Sequence, residues 1–393
     1  MGASNPAAGR YYRPELDVVR FVAFLLVFLN HTLPTDDDVR VLKLMGSFAP
    51  AFYAFAGACR YGLSLFFTLS AFLICELLLR EREAAGTVHI TQFYIRRILR
   101  IWPLYYFGLT LGVVVALLPG GQHGDLAKIG WFAIFLGAWQ IARHGAVNNP
   151  MNPLWSISVE EQFYLFAPWL AKHLNRKSLY GFCVLLILFS NVYLAHLCAV
   201  SAPSHRVWFD AFVQFECFAG GILLCLVLRG RLPRVAPWQR PVLLLCAGCC
   251  WFFSVYSLHA RFDLTENPGS WLLIGGYALA ALGSVLVLVA FLGVNPKFLP
   301  GWAIYLGRIS FGLYVYHDFA IYITNRLRIG ALLFNTIPNY PVRVCLNAGL
   351  TLGLPMGLTF AAAALSYRYF ETPFLKMKKR HAVIESQPIA GAN

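Results

Sequence analysis

Apolar runs of about 18 to 24 residues recur along almost the whole of this sequence, and they constrain its fold more than any other feature. Each run is long enough to form a helix that crosses a hydrocarbon core about 30 Å thick. Only 13% of the residues are charged, against about 25% in a soluble protein. The sequence therefore predicts an all-α polytopic membrane protein.

Several of these stretches are candidate membrane segments. They are residues 17–34, 61–80, 101–119, 127–142, 155–172, 178–199, 209–228, 241–258, 270–293, 302–325 and 344–368. Basic clusters lie between them, as expected of cytoplasmic loops, in which Lys and Arg accumulate. These clusters occupy residues 80–100, 172–178, 229–240 and 369–381.

The basic clusters also constrain which stretches cross the membrane. Three candidate segments separate the cluster at 80–100 from that at 172–178, so the two would lie on opposite sides if every segment crossed. The conflict disappears if one of the three segments is re-entrant or interfacial and does not cross the membrane. The best candidate is the segment at 127–142, because it is the shortest and the poorest in Leu, Ile and Val. We therefore predict about ten transmembrane helices plus a re-entrant segment, with both termini cytoplasmic. The basic loop at 326–343 would then lie outside, against the charge rule.

The sequence shows no boundary between separate domains. We predict a single integral membrane domain over residues 1–393, with a core at about 16–372 and cytoplasmic tails at 1–15 and 373–393. We expect no cleavable signal peptide, because no small-residue cleavage site follows the first apolar run.

Charge and cysteine content exclude two other classes of site. The basic residues that give the net charge of +14 lie in short clusters between apolar runs. This distribution is typical of cytoplasmic loops and argues against nucleic-acid binding. Most of the ten cysteines lie within apolar runs, where a free thiol behaves as a small hydrophobe. The group Cys246, Cys249 and Cys250 has no His or second Cys pair at zinc spacing, so we predict no metal site.

The first apolar run, LDVVRFVAFLLVFLNH, contains two ionisable residues, Arg20 and His31. Eleven residues apart, they differ by about 20° around a helix and lie on one face, about 16 Å apart along the axis. Arg20 could snorkel to the interface or pair with Asp17 at i−3. An ionisable residue inside a membrane helix normally has a partner or a function, and we assign a function to His31.

Two further motifs carry unusual charge. In FYIRRILRIWPLYY, Arg96, Arg97 and Arg100 could bind an anion with several phosphates, or could only orient the helix. In PLWSISVEEQFYLF, two carboxylates sit side by side at the edge of an apolar helix. Glu160 or Glu161 could orient an imidazole, as a carboxylate does in a serine-protease triad, or could be an interfacial cap.

The WSISVEE helix and a later motif supply supporting residues. Ser156, Glu160 and Tyr164 recur at intervals of four and share one helical face. In YLGRISFGLYVYHDF, a small polar face that includes Gly307 and Ser310 suits close helix packing. His317 follows this face and could be structural or could line a site.

Together, in this order, these motifs resemble the acyltransferase-3 family of integral membrane acyltransferases. The matching segments are Arg20-x10-His31, LFFTLSAFLI at 65–74, FYIRRILRIWP at 93–103, WSISVEEQFYL at 155–165, GRISFGLYVYH at 307–317 and FETP at 370–373. The one departure noted is Ala71, at a position where the family usually has glycine.

The resemblance implies an O-acyltransferase without a permanently bound cofactor, in the bacterial cytoplasmic (inner) membrane. Its partners would be the bilayer, cytoplasmic acyl-CoA (most simply acetyl-CoA) and a carbohydrate or other small hydroxyl acceptor. Some members carry an additional extracytoplasmic SGNH-type domain, which we do not expect here. In the family the Arg-x10-His pair is essential and its histidine is taken as the catalytic centre, which carries over to Arg20 and His31.

The mechanism that we expect combines these assignments. Arg20, Arg96, Arg97 and Arg100 would bind acyl-CoA. His31 would take the proton of the acceptor hydroxyl, and Glu160 would position it. The residues that support the substrate site would be Trp155, Ser156, Glu161, Tyr164, Ser310 and His317. Direct transfer and a covalent acyl-His31 intermediate both stay open.

Two other functions compete with this one. A transporter or flippase for a polyol or lipid-linked sugar would also have intramembrane charges, and often shows paired discontinuous segments, which are not evident here. An unrelated O-acyltransferase superfamily uses a His and an Asn deep in its bundle, and the position of His31 in the first helix argues against it.

Overall fold

The computed structural model describes residues 11–34, 39–118, 126–260, 270–327, 340–381 and 384, and their regular secondary structure is entirely helical. Helices satisfy their own backbone hydrogen bonds, as a chain in a bilayer requires. The helices are α1 (Pro14–Thr32), α2 (Val39–Met45), α3 (Ala49–Ala58), α4 (Gly62–Ala85), α5 (Ile90–Leu117), α6 (Leu126–Ala133), α7 (Gly137–His144), α8 (Trp155–His173), α9 (Arg176–Ala199), α10 (Ser204–Phe209), α11 (Ala211–Leu228), α12 (Gln239–Tyr256), α13 (Leu272–Phe291), α14 (Gly301–Arg308), α15 (Ser310–Arg326), α16 (Tyr340–Leu365) and α17 (Thr372–Lys379).

Within the described residues, seven helical stretches are long and apolar enough to cross a membrane. They are Val41–Ala85, Ile90–Leu117, Arg176–Ala199, Ala211–Leu228, Gln239–Tyr256, Leu272–Phe291 and Gly349–Lys379. Helices α1 and α8 are 19 residues long but carry several charges, and α15 has 17 residues. The prediction of a multi-pass helical protein is confirmed, whereas the number of ten spans and the orientation of the termini stay predictions. Most of the loop predicted outside lies beyond the described residues, at 328–339.

The segment at 127–142 is not one spanning helix, in agreement with the prediction. It forms α6 and α7, eight residues each, separated by a break at Phe135, which has a positive φ of 56°. Eight helical residues extend about 12 Å, too short for a hydrocarbon core. Side chains of α5 satisfy the carbonyls freed at the break, since Tyr105 donates to Phe132 O at 2.6 Å and Tyr106 to Ala133 O at 3.0 Å.

One helical region was missed from the sequence. Residues between the first two predicted segments form α2 and α3, which lead through short 3-10 turns into α4. Lys43, Gly46 and Pro50 interrupt the apolar pattern here, so no uninterrupted run was visible. Pro50 lies in the first turn of α3, where a proline is tolerated.

Glycines bring two pairs of helices into close contact. A Cβ on Gly307 of α14 would lie only 1.8 Å from the carbonyl oxygen of Asp17 in α1, so the predicted close packing is confirmed there. On α11, a Cβ on Gly221 would lie 2.2 Å from Thr68 O and 2.9 Å from the Cβ of Ala71. The family usually has glycine at the position of Ala71 in α4. Here the glycine that allows close contact is Gly221 on the neighbouring helix α11.

The predicted C-terminal tail begins with a packed helix. After α16 the chain forms a π-helical turn, Ser366–Glu371, and then α17. Arg96 of α5 donates to His381 O at 2.9 Å, and the His381 ring lies 2.8 Å from Gln92 Oε1. These contacts hold α17 against the first turns of α5.

Candidate active site

A cavity of about 160 Å³ lies among α1, α4, α5, α8, α15 and α17. The residues from the sequence prediction that line it are Arg20, Arg97, Arg100, Ser156, Glu160, Tyr164 and Ser310. Other polar residues of its wall, not assigned from the sequence, are Tyr11, Tyr12, Arg13, Asp17, Ser70, Tyr314 and Lys378. The predicted residues His31, Arg96, Trp155, Glu161 and His317 are not in the wall.

The cavity is deep and runs along the bundle. Its wall on α4 extends from Leu77 to Leu63, which corresponds to about 21 Å of helix. At the Leu63 end, the neighbouring Gly62 packs on Ala23 and Val27 of α1. His31 is one turn beyond Val27, about 6 Å further along the axis. The cavity therefore leads from the arginines of α5 toward the end of the bundle that holds His31, although its wall on α1 itself ends at Arg20, eleven residues before His31.

Two guanidinium groups in the wall make no ion pair or hydrogen bond with a carboxylate among the described residues. The Cζ of Arg97 lies 5.7 Å from the ring centroids of Phe93 and Tyr164, and its Nε is buried without a hydrogen-bond partner. Arg100 makes neither a hydrogen bond nor an ion pair within the described residues. Cations left unpaired in a partly buried cavity favour an anionic ligand.

Arg20 lies in the same wall but has a carboxylate partner. Its guanidinium donates to Asp17, as the i−3 spacing predicted. Tyr12 also donates to this carboxylate, at 2.9 Å. Tyr11 and Tyr12 precede α1, and burial raises the pKa of the Tyr11 phenol to about 12 and that of Tyr12 above its ordinary value. Both phenols are neutral at physiological pH, so neither offsets the cations of the cavity.

Arg96 does not join this cluster. It pairs with Glu81 of α4 at 2.8 Å, and Glu81 is almost completely buried. It also holds the C-terminal segment through His381 O. Adjacent residues on a helix point about 100° apart, so Arg96 and Arg97 face different neighbours. The expected role of Arg96 in acyl-CoA binding is therefore not supported by its position.

The two adjacent glutamates also face different neighbours. Glu160 lines the cavity and accepts a hydrogen bond from Tyr164 at 3.0 Å, and the Tyr164 hydroxyl in turn lies 2.5 Å from Ser70 Oγ. Glu161 points to α5 and accepts from Trp102 Nε1 at 3.3 Å. Neither glutamate has a hydrogen bond or ion pair to His31 among the described residues, so the expected positioning of His31 by Glu160 is not what the structure has.

Tyr314 separates the cavity from the histidine region. Its hydroxyl lies 2.7 Å from Ser156 Oγ and donates to Pro153 O at 2.9 Å. Its ring centroid is 5.5 Å from that of His317. Trp155 is buried and packs edge-on against Phe209 at 4.7 Å, which gives it a packing role outside the cavity wall.

His31 and His317 meet just beyond the cavity. Their ring centroids are 5.0 Å apart and their planes almost perpendicular. His317 is fully buried; its Nδ1 lies 2.6 Å from Tyr314 O, which requires a protonated Nδ1 and leaves Nε2 as an acceptor. That Nε2 is buried and has no hydrogen-bond partner among the described residues. His31 is more accessible, with 35% of its side chain exposed.

The carboxylate nearest to His31 in the described contacts belongs to Asp318. Its Oδ1 lies 3.7 Å from His31 Nδ1. Asp318 directly follows His317 in the motif YHD. Its contact with His31 arises from the packing of α15 against α1, which cannot be predicted from the spacing of residues in the sequence. The region thus combines an accessible imidazole, a buried imidazole and a carboxylate, which are groups that can take part in proton transfer.

Comparison with known proteins adds independent information. The family model described as an acyltransferase domain matches residues 13–363. Peptidoglycan O-acetyltransferase OatA of Listeria monocytogenes is 27% identical over 371 residues, covering 88% of this chain and 56% of the relative. O-acetyltransferase OatA of Staphylococcus aureus is 23% identical over 386 residues, covering 93% of this chain and 57% of the relative. The chain thus spans less than two thirds of the length of these relatives, and no solved structure matches it.

Proposed function

This chain belongs to the acyltransferase-3 family, and from that membership we propose that it transfers an acyl group, most simply acetyl, from cytoplasmic acyl-CoA to a hydroxyl group of a carbohydrate. The observation that carries the proposal is the deep cavity, whose wall contains Arg97, Arg100 and Tyr314. The ring centroid of Tyr314 is 5.5 Å from that of His317, the ring that contacts His31.

The donor proposal rests on charge and shape. Coenzyme A has a diphosphate and a 3′-phosphate at one end and a long, thin thioester arm at the other. Arg97 and Arg100 are suited to the phosphates, because a guanidinium donates two parallel hydrogen bonds to phosphate oxygens. The cavity wall along α4, about 21 Å long, could accommodate the arm. The basic end of the cavity would face the cytoplasm, where Lys and Arg accumulate.

The chemistry would take place at His31. The unprotonated imidazole accepts the proton of the acceptor hydroxyl, and the resulting oxygen nucleophile attacks the thioester carbonyl. The new C–O ester bond forms, the C–S bond breaks, and the CoA thiolate leaves and is reprotonated by the imidazolium. If His31 instead attacks first, the C–S bond breaks, an acyl-imidazole forms and CoA leaves as the thiolate. The acceptor hydroxyl then attacks the acyl-imidazole, the N–C bond breaks to release His31, and the hydroxyl proton passes to the thiolate.

Asp318, which the sequence did not identify, and several of the predicted residues have supporting roles in this scheme. Asp318 would stabilise the imidazolium form of His31 through its charge, the role first expected of Glu160. Glu160, Tyr164 and Ser156 would line the path of the thioester arm. Ser310 of α15 would line the same path.

The acceptor class is proposed from the relatives' names. Peptidoglycan O-acetyltransferase and O-acetyltransferase are names for enzymes that acylate hydroxyl groups, the first on a cell-wall glycan. The His31 side chain is 35% exposed, at the end of the bundle opposite the proposed cavity mouth. A carbohydrate hydroxyl would reach it from that end. A transporter or flippase is not favoured, because the family is one of acyltransferases.

The test uses purified protein in lipid nanodiscs with radiolabelled acetyl-CoA and a cell-envelope glycan extract. We expect label in the glycan with wild-type protein and a loss of at least about 100-fold for His31→Ala, because general-base catalysis contributes about that much or more. His196→Ala, at an exposed position of α9, is the matched control and should keep wild-type turnover. Near-wild-type turnover of His31→Ala would exclude this mechanism.

A further inference from the structure

Lys378 is a cavity residue that the sequence motifs did not identify. It lies on α17, in the segment first assigned to a cytoplasmic tail, and its side chain reaches the wall formed by Arg20, Arg97 and Arg100. The family model ends at residue 363 and the FETP motif ends at residue 373, so neither assigns a role to Lys378.

The surroundings of Lys378 are rich in positive charge. Its ammonium group shares the cavity wall with the guanidinium groups of Arg20, Arg97 and Arg100, and like charges in one cavity repel one another. No hydrogen bond or ion pair connects its ammonium group to any described residue. Partly buried like charges destabilise one another, and a bound anion removes that cost.

The position of Lys378 is set by packing. Leu375, one turn earlier on α17, is buried, and Thr372 at the start of the helix donates to Tyr367 O at 2.6 Å. Beyond the helix, His381 is held by Arg96 and Gln92 of α5. By contrast, Lys376 and Lys379 on the same helix are exposed. One lysine of the three is therefore directed into the cavity.

We propose that Lys378 binds a phosphate group of the CoA donor, so that α17 forms part of the donor site and closes one side of its mouth. This inference rests on the proposed function. Lysine provides a compact charge with three donors, which complements the forked guanidinium groups of Arg97 and Arg100 on the other side of the phosphates.

The test measures the Kd of CoA by isothermal titration calorimetry, and the Tm of the ligand-free protein, with full-length protein in nanodiscs. Lys378→Met keeps the aliphatic stem and removes the charge; it should raise the Kd about tenfold. Lys379→Met on the same helix is the control and should change the Kd less than about twofold. Lys378→Arg should keep most of the affinity.

The Tm separates a binding role from a structural one. Removing a charge that is repelled by its neighbours should leave the Tm of ligand-free Lys378→Met unchanged or higher, while the Tm increase caused by CoA becomes smaller. Lys378→Gln provides a second variant if the Met variant is poorly produced. A Kd equal to that of Lys379→Met, or a clearly lower ligand-free Tm, would overturn the inference. If wild-type protein does not bind CoA at all, the proposed function fails with it.

Discussion

His31 differs from an ordinary interfacial histidine in its neighbours. It contacts the buried ring of His317, and the carboxylate of Asp318 lies 3.7 Å from its Nδ1. That distance is too long for a hydrogen bond, so Asp318 acts on the ring through charge or a bridging water. Because Asp318 lies on the Nδ1 side, Nε2 of His31 stays available to an acceptor or a thioester.

Substitution of Asp318 tests this arrangement. Asp318→Asn should lower kcat about tenfold or more, because the imidazolium formed during transfer loses its stabilising charge. The KM for acetyl-CoA should stay within about twofold, since Asp318 is not part of the cavity wall. Asp318→Glu should restore part of the kcat. A changed KM with an unchanged kcat would assign Asp318 to donor binding and contradict its role at His31.

The sequence was informative about residue types and less so about their partners. Charges inside apolar runs drew attention to Arg20, His31, Arg97, Arg100 and Glu160, and all of these except His31 line one cavity. The carboxylate beside His31 was expected to be Glu160 and is Asp318. That pairing depends on the register of α15 against α1, a tertiary property that spacing along the chain does not encode.

At the scale of helices, α5 carries the proposed donor site at its basic end. Arg97→Ala and Arg100→Ala should each raise the KM for acetyl-CoA about tenfold, because each loses a charge-assisted phosphate contact. Steady-state kinetics in nanodiscs provide the measurement. Lys177→Ala, an exposed cation near the start of α9, is the control. Equal KM values for all three variants would exclude α5 from donor binding.

Arg96 has a different role on the same helix, since it joins α5 to α4 and to the C-terminal segment. Arg96→Ala removes the guanidinium group from the buried Glu81 and, among the described residues, leaves only His89 beside that carboxylate, so the loss of this charge-assisted hydrogen bond should destabilise the protein by about 2 kcal/mol. Arg176→Ala removes an exposed pair with Glu83 and should cost less than about 1 kcal/mol. Thermal unfolding in detergent compares the two. Similar Tm values for both variants would contradict the structural role of Arg96.

For the whole molecule, the apolar runs predicted most of the helices because a bilayer leaves few alternatives to helix. The charge rule also identified the segment that does not cross as one helix, which is broken at Phe135. Two features were missed. The helices between residues 39 and 58 lack an uninterrupted apolar pattern, and α17 is polar, so nothing local indicated that it would pack into the cavity.

The central claim is that this protein binds the phosphates of CoA in a cationic cavity and places the thioester near His31. The most direct measurement is an electron cryo-microscopy structure of the full-length protein in nanodiscs with bound CoA. We expect the phosphates to lie about 3 Å from the guanidinium groups of Arg97 and Arg100, with the sulfur directed past Tyr314 toward His31. CoA bound outside this cavity, or with its sulfur directed away from His31, would contradict the account.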